Sequence, residues 1–440
     1  MTNSLGADAF RIVLSRRHAA IEPRTIMTEF DPAAVAADNQ ASTAGERENV
    51  SATAATDAAQ ADAPIGASER LSTRIAFFIA GLAMAAWAPL VPYAKARTGI
   101  DEGMLGLLLL ALGAGSLVTM PLTGAIAARY GCRRVILLAS AVVCATLPLL
   151  THFSGVPAMA LTLFAFGAAI GTIDVAINIQ AVIVEKASGR ALMSGFHGFF
   201  SVGGIAGAGL VSVLLWLQAA PSIAAMTVAV VLALLMLAGS RGLLRYGDDS
   251  HGGGSMFALP HGVVILIGAL CFIVFLAEGA MLDWSALLLV SQRGVAASVA
   301  GIGYAVFALA MTIGRFSGDR IVHRFGPRPV LAAGGACAAA GFALAALAPG
   351  ALPTLLGFAL VGLGASNIVP ILFSAAGRQT AMPAGPAISA VSTLGYAGIL
   401  AGPAAIGWIA KFSSLPVAFV LLAAALVAVA ASARIAAARD

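Results

Sequence analysis

The sequence predicts an all-α polytopic membrane protein, with twelve transmembrane helices in two pseudo-symmetric six-helix bundles. Three observations carry that prediction. Of the 440 residues, 60% are hydrophobic and only 10% are charged, whereas a soluble domain is about 45–50% apolar and about 25% charged. From Arg74 onward the chain is a succession of apolar runs of about 20 residues, enough to cross a hydrocarbon core of about 30 Å as helix. Finally, a basic, glycine-marked turn, Arg129-Tyr130-Gly131-Cys132-Arg133-Arg134, returns 195 residues later as Arg324-Phe325-Gly326-Pro327-Arg328-Pro329. A repeat of that length, built of membrane-length segments, marks a transporter made from two related bundles.

Residues 1–70 differ in kind from the rest. They are rich in Ala, Asp, Glu, Ser and Thr and poor in large apolar side chains. Such a segment buries too little surface to offset its chain entropy, so a disordered cytoplasmic extension is expected. It has no continuous apolar stretch of the signal-peptide kind, and Met27 offers an alternative start. The apolar runs then fall at 74–94, 103–128, 134–152, 157–182, 194–217 and 221–240, and at 261–290, 298–321, 329–348, 352–376, 385–410 and 415–434. In lipid every backbone polar group needs an internal partner, so these runs are helices. The longest loop, with Asp248, Asp249 and Gly252–Gly254, separates the sixth run from the seventh. The expected organisation is a bundle over 71–240, a flexible cytoplasmic linker over 241–260 and a second bundle over 261–440.

Loop charges orient the chain. One side carries Arg70, Arg129, Arg133, Arg134, Lys186, Arg190, Arg241, Arg245, Arg320, Arg324, Arg328, Arg378, Arg434 and Arg439; the other carries Lys95, Arg97, Arg293 and Lys411. The richer side is expected to be cytoplasmic, with both termini there. The net charge of +5 therefore reflects loop arginines and not a nucleic-acid surface. The four scattered cysteines form no CxxC or Cys/His spacing and read as small apolar residues. No metal cluster, phosphate loop, cofactor motif or nucleophile–base arrangement is present, which argues against an enzyme.

The 195-residue offset recurs. Gly203 and Gly207 match Gly398 and Gly402, and Gly99 matches Gly294. Small residues let helix backbones approach closely, so the fifth and eleventh runs are expected to be contact helices between the halves.

Charges inside a span are rare because they are costly, and they mark function. Asp174 lies a little past the middle of the fourth run, with Asn178 one turn on along the same face. No Lys or Arg on that helix stands near Asp174, and a carboxyl without water or a cation binds a proton more readily. It is a candidate coupling site, or else a carboxyl bonded within the bundle for packing. Glu278 and Asp283 share the seventh run but point about 140° apart, so one faces a cavity while the other pairs elsewhere. Trp284 presents an aromatic face for a sugar-like or cationic ligand, or belongs to an interfacial belt. Trp87 stands in the first run between Ala86 and Pro89, where prolines loosen the helix. Asn367 either binds solute or cross-links helices. Gln180 is a lesser polar candidate. His197 reads as an interface histidine, and Arg315 and Asp319, four apart, are expected to pair with each other or with the basic turn.

The basic turn resembles the signature of the major facilitator superfamily, Gly-x-x-x-Asp-Arg-x-Gly-Arg followed by Arg or Lys. Here it reads Gly124, Ala128, Arg129, Gly131, Arg133 and Arg134, with alanine at the acidic position. The second copy has His323 before Arg324 and Gly326, and an acid one turn earlier in Gly314-Arg315-Phe316-Ser317-Gly318-Asp319-Arg320. The resemblance implies the major facilitator fold and a cytoplasmic gate at these residues. The stretches Asp174–Asn178, Glu278–Ser285 and Asn367–Ser374 are similar to the fucose-permease-like branch and to YbjJ-type bacterial inner-membrane transporters. That branch also expects a first-helix acid, which is missing here.

The resemblance implies a multi-pass protein of the bacterial inner membrane, monomeric and without cofactor. It would move a small polar organic solute, sugar-like by analogy, by alternating access with proton coupling. Drug or metabolite efflux is the alternative within the same class. A sensor or assembly partner that kept the fold and lost transport is the alternative outside it.

Overall fold

The computed structural model describes residues 65–247, 259–296 and 299–437, with the side chains at 102 and 103 left aside. Among these residues there are helices and no strands. The expected disorder of the N-terminal extension and the start at Met27 fall on residues 1–64, outside the described residues. Helix already begins at Ala67, inside the stretch expected to be disordered.

The first segment is α1 (Ala67–Ala86), a 3-10 turn (Ala88–Leu90) and α2 (Val91–Thr98). Proline has no N–H to donate back to the preceding turn, so Pro89 and Pro92 interrupt the ladder here. α3 (Glu102–Leu149) joins the second and third apolar runs in one helical stretch, broken at Gly131. At about 1.5 Å per residue it is long enough to cross the membrane twice. α4 (Val156–Ser188), α5 (Met193–Trp216) and α6 (Pro221–Gly239) complete the first half.

The second half holds α7 (Val263–Arg293), α8 (Ile302–Phe325), α9 (Pro327–Leu347), α10 (Ala351–Ala365), α11 (Ile368–Arg378), α12 (Ala384–Phe412), α13 (Leu415–Ala431) and the short α14 (Ala433–Ala436). α10 and α11 are one apolar run broken at Ser366–Asn367. Pro370 leaves the Ser366 carbonyl without its helical donor.

Nine described stretches are long and apolar enough to cross a membrane. One of these, Met104–Leu149, holds two segments, and α8 and α13 add two more, which makes twelve crossings.

The repeat is visible in the backbone. Gly131 has φ 80° and ψ 151°, and Gly326 has φ 82° and ψ 162°. This is a region that essentially only glycine occupies. Gly99 and Gly294 close their helices in the left-handed conformation, at φ 66°, ψ 24° and φ 67°, ψ 21°.

The glycines of the fifth and eleventh segments serve a different contact from the one expected. A methyl group on Gly203 or Gly207 would strike the backbone of Phe78 or Leu82 on α1. One on Gly398 would strike Phe272 on α7, and Gly402 lies against Leu276 of α7. These seams therefore lie within each half. The contacts between halves use other faces. α5 meets α8, where Phe199 and Phe316 pack edge to face at 5.7 Å. α3 meets α12, where a methyl on Gly124 would lie 2.7 Å from the Gly385 carbonyl.

The start of the expected flexible linker is pinned in place. Arg133 and Cys132 donate their backbone N–H groups to the carbonyls of Leu244 (2.7 Å) and Tyr246 (3.3 Å). Gln180 accepts from the Leu244 N–H at 3.1 Å and donates to Thr73 at 3.0 Å. Gln180 is thus a packing residue, and the turn at Gly131 is a dock for residues 243–247. Residues 248–258 of the linker lie outside the described residues.

Candidate transport site

Two partly buried acids stand at matching depth on opposite halves. Asp174 lies 14 residues before the end of α4, and Glu278 lies 15 residues after the start of α7. At about 1.5 Å per residue, both are about 21–22 Å in from the arginine-rich end. Asp174 faces across to the other half, while Glu278 reaches it through Arg315 of its own half.

Asp174 of α4 faces Ser392 of α12, close enough for a hydrogen bond to influence it. Ser392 Oγ closes no hydrogen bond in this arrangement. Tyr396, one turn further on α12, faces Ser116 of α3 and the same carboxyl. Among the described residues Asp174 has no ion-pair partner. Asn178 does share its face, but its amide donates to the Asp174 backbone carbonyl at 2.8 Å and not to the carboxylate. Its Oδ1 is left buried and unpaired.

Glu278 meets Arg315 of α8 at 3.7 Å, with side chains 19% and 7% exposed respectively. Arg315 donates at 2.7 Å to Ser201 of α5, so this pair also reaches across the halves. The expected partnership of Arg315 with Asp319 is therefore overturned. Arg315 turns inward to Glu278, while Asp319 Oδ2 accepts the Gly195 N–H of α5 at 3.0 Å. Helix periodicity gives the spacing of two side chains on one helix but not the pull of a partner on another.

His197, expected at an interface, is buried between Phe77 (5.2 Å) and Phe373 (5.9 Å). It lies near Arg315, and its Nε2 is unpaired. Asp283 is exposed and lies near Tyr304 of α8. Trp284 lies against Gly407 of α12, where a methyl would come within 3.2 Å of the ring, and its Nε1 is buried without a partner. Trp87 is buried with an unpaired Nε1. Asn367 sits at the α10–α11 break and donates to Gly314 (3.3 Å) and Ser366 (3.0 Å). Those bonds make it a cross-link onto α8, although its Oδ1 is free. Five of the seven residues expected to face solute or proton thus carry a buried polar atom without a partner: Trp87, Asn178, Glu278, Trp284 and Asn367.

At the arginine-rich end, the turn residues Arg129, Arg134, Arg320 and Arg324 are exposed. None of these, nor Arg133, forms an ion pair with a described residue. Arg129 and Arg324 lie over the rings of Tyr130 and Phe325, their neighbours in the chain. The acids that tie helices together at this end are Asp319 and a residue the sequence reading passed over, Glu185. Glu185 Oε2 accepts the N–H groups of Leu192 and Met193 at 2.9 Å each, where α5 begins. Its Oε1 meets Arg378 of α11 at 3.2 Å, across the halves. The available signal was an acid at the end of a span, with Arg378 in the loop that follows the tenth span.

The comparisons with known proteins agree with this architecture. The model of the Major Facilitator Superfamily matches residues 74–384. An uncharacterised MFS-type transporter of Yersinia pestis is 59% identical over 369 residues, covering 84% of this chain and 96% of that protein. Membrane protein MosC of Rhizobium meliloti is 34% identical over 339 residues, covering 76% and 82%. Among solved structures, the E. coli fucose:proton symporter superposes with a TM-score of 0.71 at 18% identity, covering 83% of this chain and 98% of that one. At that identity the likeness speaks to the fold alone. The chain belongs to the major facilitator superfamily: it is a multi-pass membrane transporter and not an enzyme.

Proposed function

We propose that the protein moves a small polar organic solute by alternating access between its two halves, coupled to protons. The observation that carries this reading is the placement of Asp174 and Glu278. Two partly buried carboxyls stand at one depth on opposite halves: Asp174 faces Ser392 across the contact, and Glu278 is tied to it through Arg315, which donates to Ser201 of the other half. An ionised carboxyl in hydrocarbon is costly unless paired, and Asp174 has no cation among the described residues. Taking up a proton removes that cost and turns the group into a donor, so protonation and the fit between α4 and α12 are linked. The fucose:proton symporter that shares the fold is named for a sugar and a proton, which supports a polar, sugar-like solute here.

The bacterial inner membrane, with the arginine-rich end cytoplasmic, follows from the same reading and the loop charges. The motif residues Gly124, Arg129, Gly131, Arg133, Arg134, Arg320, Arg324 and Gly326 belong to the gate at that end, together with Asp319.

The test is solute-driven proton movement in proteoliposomes loaded with a pH-sensitive dye, screened over sugars, amino acids and organic acids. At least one solute is expected to move protons, and Asp174→Asn is expected to abolish that movement in a folded protein. Unchanged proton-driven uptake by Asp174→Asn would sink the coupling role. Binding of a solute with no movement in either direction would point to a sensor.

A further inference from the structure

The geometry points to a carboxylate on the solute, docked at Arg315. This inference rests on the proposed transport site and narrows what that site takes. Arg315 is 10 residues from the end of α8, about 15 Å into the membrane. A guanidinium that deep is expected to be fully paired, because it offers five N–H donors in a fixed fork and a buried charge is costly. Instead it makes one short hydrogen bond, to Ser201 at 2.7 Å, and one loose contact, to Glu278 at 3.7 Å. Its Nε has no partner. A settled arginine–carboxylate bond is about 2.7–2.9 Å and often two-pronged. Glu278 is held off that geometry, with Oε1 unpaired as well. Arg315 thus keeps an open edge, which a planar carboxylate would fill with two parallel bonds.

The charges then balance in a particular way. Empty, the pair is Glu278 carboxylate with Arg315 cation, net zero. With a solute carboxylate on Arg315, net zero is restored when Glu278 takes a proton, so one anion and one proton enter together. The other titratable groups facing the pair are His197 of α5, Tyr304 of α8 and Cys271 of α7, with Asp283 beside Tyr304. None of them supplies a second fixed cation.

The experiment uses the full chain in detergent or nanodiscs. Tryptophan fluorescence and thermal shift are followed with matched pairs of probes: glucuronate against glucose, galacturonate against galactose, and lactate against propane-1,2-diol. At least one carboxylate is expected to bind while its neutral partner binds at least 10-fold more weakly. Arg315→Lys keeps the charge without the fork and is expected to weaken that binding. Glu278→Gln/Arg315→Gln, which removes both charges together so that neither is left buried alone, is expected to erase the preference by roughly 10- to 100-fold. Neutral probes binding as well as their acids, or a carboxylate preference that survives in the double variant, would overturn the inference. Binding and transport separate the two proposals. A carboxylate that binds but is not moved leaves the docking site standing and removes the transport reading. Proton-linked movement of neutral solutes alone does the reverse.

Discussion

The two halves of this protein share their backbone devices and differ in their buried polar side chains. Gly131 and Gly326 turn the chain at nearly the same φ and ψ, and Gly99 and Gly294 end their helices alike. Arg97 donates to the carbonyls of Leu150 (2.5 Å) and Phe153 (3.0 Å), while Arg293 donates to those of Ala345 (2.8 Å) and Ala346 (3.0 Å). The same offset applied to the polar residues finds no match. Asp174 corresponds to Val369, Glu278 to Ala83, Arg315 to Met120, His197 to Ser392 and Asp319 to Gly124. What the halves hold in common is what keeps each bundle in shape. What they do not share is charge, placed where they meet.

The sharpest way to break this comparison is Asp174→Asn. Solute-driven proton uptake is expected to fall to background while the melting temperature moves by only a few degrees. The mirror change, Val369→Asn, is expected to leave coupling in place. Proton uptake assays on both variants decide whether the charge asymmetry carries function.

Next in size are Gly203→Leu and Gly398→Leu, which press a side chain into the backbone of α1 and α7. Each is expected to destabilise by about 1–3 kcal/mol or more, and by similar amounts. Thermal melts in detergent that show a large loss for only one of the two would contradict mirrored seams.

A smaller effect is expected at the arginine-rich end. Arg378 is half exposed, 49% against 6% for Glu185, so water screens much of that pair. A double-mutant cycle over Glu185→Gln and Arg378→Gln is expected to give a coupling of about 1 kcal/mol or less. Labelling of a cysteine introduced at Ser194 should rise in both single variants if the pair holds that end shut. The smallest changes belong to Arg97→Gln and Arg293→Gln. Each gives up hydrogen bonds to helix-end carbonyls, at about 0.5–1.5 kcal/mol, and the two melting curves should shift together.

Much of this was legible in the sequence, because a bilayer imposes length and polarity on each segment separately. The apolar runs, the repeat and the unusual depth of Asp174 and Glu278 are properties of single stretches. The rest depends on which helix faces which. Gly203 announces close packing but not whether the neighbour is α1 or the other half. Arg315 announces a costly charge, but its tie to Glu278 depends on α7 lying beside α8. Glu185 looks like any acid at the end of a span until α5 and α11 are brought to it.

The glycine seams carry a consequence for how the chain is made. They join α5 to α1 and α12 to α7, and the Gly131 turn docks onto residues 243–247 of its own half. The tightest backbone contacts can therefore close within each half by itself, those of the first before the second has been made. Severed between residues 247 and 259 and co-expressed as two polypeptides, the halves are expected to find each other in the membrane and recover transport.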